Sequence, residues 1–281
     1  MDIIDSKTYI IGGEGYIGSM INYLDKSPNV IIVGKKGNPK KSIISINALN
    51  EIPKNSNCIL LAAITDLKIC ENNKKLTYET NVELVKKICS LGFNKIVYAS
   101  TTSLYGFSND YVDESSPVHS TSYYSETKLM AEEIIMSYKN NIVARLAIAI
   151  GASPKMDWKQ LCNSIVKNAV DGRELDIYSP DTFRPYYDVS EISRALLFLC
   201  FSSYYNNSIV NIGNTSQNYK KSDLLQEIKK IIPSLKWNTI EKNDERNYKV
   251  SFAKFEKNFK HSLNFQESFI KLLSLIKYNK L

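Results

Sequence analysis

Through the first half of the chain, short apolar runs alternate with longer stretches of helical spacing. The run "TYIIGG" over 8–13 predicts a buried strand, and "YIGSMINYL" over 16–24 predicts the helix that follows it. Further strands are expected at 30–33, 58–63, 95–100 and 142–150, with a weaker one near 43–46. Segment 78–92 places Val82, Val85, Ile88 and Cys89 at helical spacing, and Gly92 reads as its stop. Another helix is expected over about 124–139. Strands apolar along their whole length are covered on both faces, and helices between them point to a parallel sheet. The expected fold class is α/β, a doubly wound Rossmann-type parallel sheet.

The second half is mixed. Helices are expected at 158–170, 189–201, 222–232 and 266–277, and short strands at 175–178 and 209–212. No internal repeat or low-complexity linker separates the halves. We expect one domain over 1–150 and a smaller mixed C-terminal lobe over 151–281, interleaved with the first.

Composition changes this picture little. The 281 residues are 43% hydrophobic and 23% charged, enough for a sizeable core. The net charge of +7 comes from lysines scattered among asparagines and serines. It reads as a solvated surface, with attraction to an anionic ligand as the alternative. No basic stripe interleaved with aromatics points to nucleic acid. Five cysteines show no CxxC and no zinc-like pairing with His119 or His261, so no metal site is expected. They read as small core residues in a reducing compartment. The N-terminus has no signal-peptide pattern, and no apolar run approaches the ~18 residues that cross a bilayer. A soluble, cytoplasmic protein without a membrane partner is expected.

The candidate chemistry begins at "GGEGYIG". It puts Gly12, Gly15 and Gly18 between the first strand and the first helix, with Tyr16 and Ile17 opening that helix. Glycines permit a tight turn and close approach of a pyrophosphate, and the helix N-terminus offers unpaired N–H groups to the anion. A dinucleotide is therefore expected here. An acid after the second strand usually holds the ribose hydroxyls of NAD. That strand instead ends "VGKKGN", so Gly34, Lys35 and Lys36 stand where the acid would be. Two lysines suit a 2′-phosphate. The reading therefore favours NADP, with NAD as the alternative and a merely solvated loop as the bland one.

The stretch "SYYSETK" supplies the second piece. Helical residues four apart are rotated by about 40° and share a face, whereas residues five apart are rotated by about 140°. Tyr124 can therefore approach Lys128, and Tyr123 cannot. A tyrosine ordinarily titrates at about 10. A nearby ammonium favours the phenolate, which would suit Tyr124 to general acid–base work. A chance YxxxK is the bland reading. Upstream, "YASTTSLYG" places hydroxyls at Ser100, Thr101, Thr102 and Ser103 at the C-terminal end of a strand. Ligands of open α/β sheets bind at that edge.

Taken together, these motifs resemble an extended short-chain dehydrogenase/reductase of the nucleotide-sugar epimerase/dehydratase superfamily. The resemblance covers nearly the whole chain in order. "LLAAIT" resembles the family's fourth-strand alanine pair, Ala62 and Ala63, and Asn81 matches the asparagine that opens the next helix. Thr101 takes the catalytic hydroxyl position. "FRPYYDVSEISRA" resembles the family's arginine-containing segment that leads into a late helix, and "DERNYKVSFAKFEKNF" the substrate-lobe motif whose arginine, here Arg246, binds a sugar-nucleotide diphosphate; Arg184 is the second candidate for the diphosphate.

The resemblance implies a dinucleotide-binding domain over 1–150 and a substrate-binding lobe over 151–281. It implies catalysis by Thr101, Tyr124 and Lys128, with Lys128 lowering the tyrosine pKa and gripping the nicotinamide ribose. Thr102 and Ser103 become candidate substrate contacts. Family dehydratases carry Asp-Glu directly after the catalytic threonine, where this chain has Thr102 and Ser103. The 3,5-epimerising reductases use a cysteine and a histidine, and no cysteine lies between Cys89 and Cys162. What remains is carbinol–ketone exchange. The expectation is an NADP-dependent 4-keto reductase of a nucleotide sugar, with a 4-epimerase holding NAD as the alternative. A catalytically silent NAD(P)-binding regulator is the alternative of another class. The family also implies a homodimer. Arg145, inside an apolar run, is expected to form a structural ion pair, because an unpaired buried guanidinium is costly.

Overall fold

The computed structural model describes residues 7–39, 43–241 and 246–278. Asp244 and Glu245, at the head of the "DERNYKV" segment, lie outside them.

Seven parallel strands form the main sheet, in the spatial order β11-β7-β5-β4-β1-β2-β3. They are β1 (Thr8–Ile11), β2 (Val30–Gly34), β3 (Ile43–Ser45), β4 (Asn57–Leu60), β5 (Lys95–Thr101), β7 (Ile142–Leu146) and β11 (Ser208–Ile212). The registers pair Ile10 with Ile32 on one side and with Ile59 on the other. Side chains alternate between the two faces. Ile10, Ile32, Ile59, Val97 and Ala144 pack on one side, with Ile21 of α1 (Tyr16–Leu24) and Leu196 of α7 (Val189–Phe201). Tyr9, Ile11, Val33, Cys58, Leu60, Tyr98 and Val143 pack on the other. There they meet Val85 and Ile88 of α4 (Leu84–Ser90) and Ala131 and Ile135 of α5 (Tyr123–Met136). Both faces are thus covered, as the uniformly apolar strands require. All five cysteines are free and buried. Among the described residues, no helix is long and apolar enough to cross a membrane.

Connections run to opposite sides of β1, toward β2 and toward β4. This reversal opens a crevice at the C-terminal strand ends, where such sheets bind ligands. The turns after β1, β4 and β5 all line it.

Two expected elements are divided. The helix expected at 78–92 is α3 (Lys74–Tyr78), one π-helical turn over Glu79–Glu83, and α4. The strand expected at 142–150 breaks at Ala147, whose N–H bonds the Ile212 carbonyl. Beyond the break, β8 (Ile148–Ile150) leaves the main sheet and pairs in parallel with β10 (Phe183–Asp188). Uniform apolarity hides a strand that changes sheets. On its other side β10 pairs antiparallel with β12 (Asn218–Lys220). A long-range parallel pair joins β6 (Phe107–Val112) to β14 (Asn247–Val250). These strands hold the second wall of the crevice over the first. A separate apolar cluster under that wall includes Ile150, Ile165, Tyr186, Leu224, Ile228 and Phe269.

Candidate active site

The glycine loop is shaped by close contacts. Gly12 has φ +87°, and a Cβ there would lie 2.6 Å from the Ala62 nitrogen. A Cβ on Gly18 would lie 2.4 Å from Gly13 Cα, so α1 can pack on the loop only with glycine there. Gly15 differs: its nearest obstacle would be the Gly12 carbonyl oxygen at 3.3 Å. No side chain caps the helix start at Gly15. A glycine hemmed in only by one carbonyl oxygen, before uncapped N–H groups, fits a pyrophosphate. The Tyr16 hydroxyl donates to the Gly151 carbonyl at 2.5 Å and accepts from Asn163 Nδ2 at 3.1 Å. This clasp ties the loop to the opposite wall of the crevice.

The cleft runs from this loop to the end of β5 and has a volume of about 440 Å³. Its lining includes Gly12, Gly15, Tyr16, Ile17, Gly18, Ala63, Thr101, Thr102, Ser103, Tyr124, Lys128, Arg184 and Arg246. Most of the residues singled out from the sequence therefore share one surface.

Local chemistry fixes Tyr124 there. Ser122 caps α5 through a reciprocal box: its hydroxyl accepts from Ser125 N–H, and the Ser125 hydroxyl accepts from Ser122 N–H. This start puts Tyr124 on the helix face toward the cleft. Tyr123 turns away, and Lys74 lies 5.1 Å from the centre of its ring. The Thr101 hydroxyl faces the Tyr124 phenol. Thr101 also donates to Ser103 Oγ at 2.9 Å and accepts from Ser103 N–H at 3.1 Å.

Lys128 is buried on the same helix face. Its ammonium donates to the Ala99 carbonyl at 2.5 Å and lies 4.0 Å from the centre of the Tyr98 ring. Burial pulls its pKa down from 10.5 to about 7, opposed by the Glu132 carboxylate. Burial raises the pKa of Tyr124, while the Thr101 hydroxyl acts to lower it. The expectation that Lys128 lowers the phenol pKa is therefore not met in this structure. Desolvation dominates at the phenol, and the Lys128 ammonium is engaged at Ala99.

Arg145, as expected, is paired: it holds Glu132 in a buried ion pair with Nη2–Oε2 at 2.8 Å. Ser100 Oγ donates to Glu132 Oε1 at 2.5 Å, and Arg145 Nη1 donates to the Tyr105 hydroxyl at 3.1 Å. The network joins the ends of β5 and β7 to α5.

Several sequence-selected residues sit elsewhere or do other work. Asn81 lies in the π-helical turn and clamps both backbone groups of Ile64, accepting at 2.8 Å and donating at 3.0 Å. It also donates to Thr127 Oγ1, so it joins the loop after β4 to α5 rather than lining the cleft. Ala62 packs against Gly12, outside the lining. The Thr102 hydroxyl donates to the Leu146 carbonyl at 3.1 Å. Lys35 and Lys36 are exposed and do not line the cleft. Arg184 is buried, donates to the Phe183 carbonyl at 2.6 Å and lies 5.2 Å from the Tyr248 ring centre.

Residues 8–213 match the NAD dependent epimerase/dehydratase family. The chain belongs to that family. It is an enzyme of the short-chain dehydrogenase/reductase type, and its strand order is of the Rossmann kind. The fold is also that of several solved structures. MoeE5 in complex with UDP-glucose and NAD superposes with a TM-score of 0.85 at 18% identity, over 98% of this chain and 99% of that one. UDP-N-acetylglucosamine 4-epimerase from Methanobrevibacter ruminantium M1, in complex with UDP-N-acetylmuramic acid, gives 0.86 at 19%, over 98% and 99%. UDP-glucuronic acid 4-epimerase from Bacillus cereus, in complex with UDP-glucuronic acid and NAD, gives 0.84 at 17%, over 98% and 100%.

Sequence reasoning overlooked several residues of this epimerase/dehydratase-family site. Glu132 stands four residues after Lys128, a spacing that could have flagged it as a neighbour on the same helix face. Tyr248 lines the cleft from the same "RNYKV" segment as Arg246. Glu14 stands among the glycines of the loop with no local pattern to single it out. Its position emerges only in three dimensions.

Proposed function

We propose that the protein moves one proton and one hydride at a single carbon of a nucleotide-diphosphate sugar, without elimination. The carrying observation is the pairing of Thr101 and Tyr124 at the end of β5 with, among the described residues, no carboxylate beside them. Among the described residues lining the cleft, the one carboxylate is Asp157. Its oxygens already accept from Lys159 N–H at 3.0 Å and Gln160 Nε2 at 3.2 Å. Elimination of water needs an acid and a base at the sugar, and Thr102 and Ser103 supply neither.

A bound nicotinamide would supply hydride exchange with the sugar carbon. The chain's own residues do the rest. Tyr124, kept protonated by burial, gives its proton to the sugar oxygen when a ketone is reduced; to take a proton from a carbinol oxygen it must first pass its own proton on, and neutral Lys128 is the acceptor on the same helix face. Thr101 bonds the same oxygen and fixes its direction. Lys128 holds a proton behind them and can release it near neutrality. Arg184 and Arg246 reach the diphosphate with charge-assisted bonds.

Two forms of this chemistry use the same three residues. Epimerisation at the 4-position has the support of the fold neighbours named as 4-epimerases. Reduction of a 4-ketone is the second reading, favoured by Tyr124, which burial holds in the protonated form that can give a ketone oxygen its proton. Incubating the purified enzyme with UDP-glucose, UDP-glucuronic acid and their 4-keto forms, with either dinucleotide, separates the two. A 4-epimer formed without net change in the dinucleotide supports the first, and stoichiometric dinucleotide oxidation supports the second. The proposal fails if no nucleotide sugar in a broad panel turns over, or if Tyr124→Phe leaves the turnover unchanged.

A further inference from the structure

The end of β2 lacks the acid that would hold an NAD ribose, yet a carboxylate is present there. It comes from the glycine loop. A Cβ built on Gly34 would lie 1.9 Å from Glu14 Oε2 and 2.4 Å from Glu14 Cδ. The Glu14 carboxylate therefore fills the volume that a side chain at position 34 would occupy. Lys35 N–H donates to the same Oε2 at 3.2 Å, anchoring the carboxylate at the strand end. Glycine at 34 and glutamate at 14 thus form one arrangement, because any side chain at 34 would displace the carboxylate.

We propose that Glu14 does the work of the missing strand-end acid, accepting hydrogen bonds from the adenosine ribose hydroxyls of NAD and excluding the 2′-phosphate of NADP. In this fold the ribose reaches the end of β2, where a carboxylate accepts from its hydroxyls. Lys35 N–H occupies part of Oε2, leaving Oε1 as a further acceptor. A 2′-phosphate placed there would meet a carboxylate, and like charges in contact repel. Lys35 and Lys36 carry opposite charge and are exposed, as Glu14 is, so the discrimination rests on the anchored place of the carboxylate at the strand end and not on burial. The assignment rests on the family's dinucleotide site and is independent of which sugar reaction follows.

Direct binding tests this without turnover. NADH and NADPH are titrated separately into the purified enzyme and followed by nicotinamide fluorescence, alongside Glu14→Gln, Gly34→Ala and the double variant Lys35→Ala/Lys36→Ala. Folding of each is checked by circular dichroism. The wild type should bind NADH at least about tenfold more tightly than NADPH, the scale of charged hydrogen bonds to the ribose. Glu14→Gln should bring the two affinities to within about threefold. Gly34→Ala should act in the same direction by displacing the carboxylate. The double lysine variant should keep the wild-type preference. NADPH binding as tightly as NADH, or an unchanged ratio in Glu14→Gln, overturns the proposal. Binding of neither dinucleotide to the wild type would overturn both it and the dinucleotide site on which it rests.

Discussion

Arg145 grips Glu132 by a forked pair, Nη2 to Oε2 at 2.8 Å and Nε to Oε1 at 3.1 Å, with both side chains out of water. The pair joins β7 to the helix that carries Tyr124 and Lys128. Removing one partner leaves the other as an uncompensated buried charge. Glu132→Ala should therefore cost about 3 kcal/mol or more in urea unfolding. Replacing both, as Glu132→Leu with Arg145→Met, should recover most of that loss, since apolar substitutes avoid the desolvation cost.

The glycines of the loop should separate folding from binding. Gly18→Ala drives a Cβ into Gly13 at 2.4 Å and should lower the melting temperature by several degrees, consistent with about 1–3 kcal/mol of overpacking. Gly15→Ala meets only the Gly12 carbonyl at 3.3 Å. It should keep close to the wild-type melting temperature and still lose about tenfold or more in dinucleotide affinity, because its methyl group enters the space left for the pyrophosphate. Equal melting losses in both variants would argue against this division.

Lys128 should mark the pH dependence of the free enzyme's stability. Its folded-state pKa of about 7 lies below the ordinary 10.5. The folded state thus disfavours the ammonium. The penalty is full below about pH 7, where the lysine is protonated both folded and unfolded, and is relieved as pH rises toward 10.5. Between pH 7 and 9 the wild type should gain roughly 2 kcal/mol relative to Lys128→Met. Paired urea titrations at the two pH values check this, and a constant difference would contradict it.

Legibility in the sequence followed the range of the interactions. The order of strands and helices was readable because apolar runs and helical spacing are local signals. So was Tyr124 over Tyr123, because a helix fixes which residues share a face. The breaks were not readable. "IVARLAIAI" is apolar on both sides of Ala147, and only the competing partners β11 and β10 reveal that the chain changes sheets there. The π-helical turn carries Asn81, whose clamp holds Ile64, seventeen residues earlier, a partner no local pattern shows. The β6–β14 pair joins segments more than a hundred residues apart, beyond the reach of any local pattern. The same limit applied at the ribose end. The lysines after β2 were visible in sequence, whereas the carboxylate filling the space of residue 34 came from position 14.

Tyr124→Phe should lower the turnover rate by about a thousandfold while leaving nucleotide-sugar affinity within about threefold, since the phenol acts on the proton in flight rather than on the diphosphate. Thr101→Val should lower the rate less, by about a hundredfold, because it orients the same oxygen without carrying the proton. A larger effect for Thr101 than for Tyr124 would reverse their roles.

The central claim is that one proton and one hydride move at one carbon, with no elimination. Its most direct measurement is mass and proton NMR analysis of the sugar product formed in deuterated water. The account predicts a product of unchanged mass, or one heavier or lighter by only two hydrogens, with no deuterium bonded to any carbon. Loss of one water, or deuterium on the carbon beside the reacting one, would contradict it.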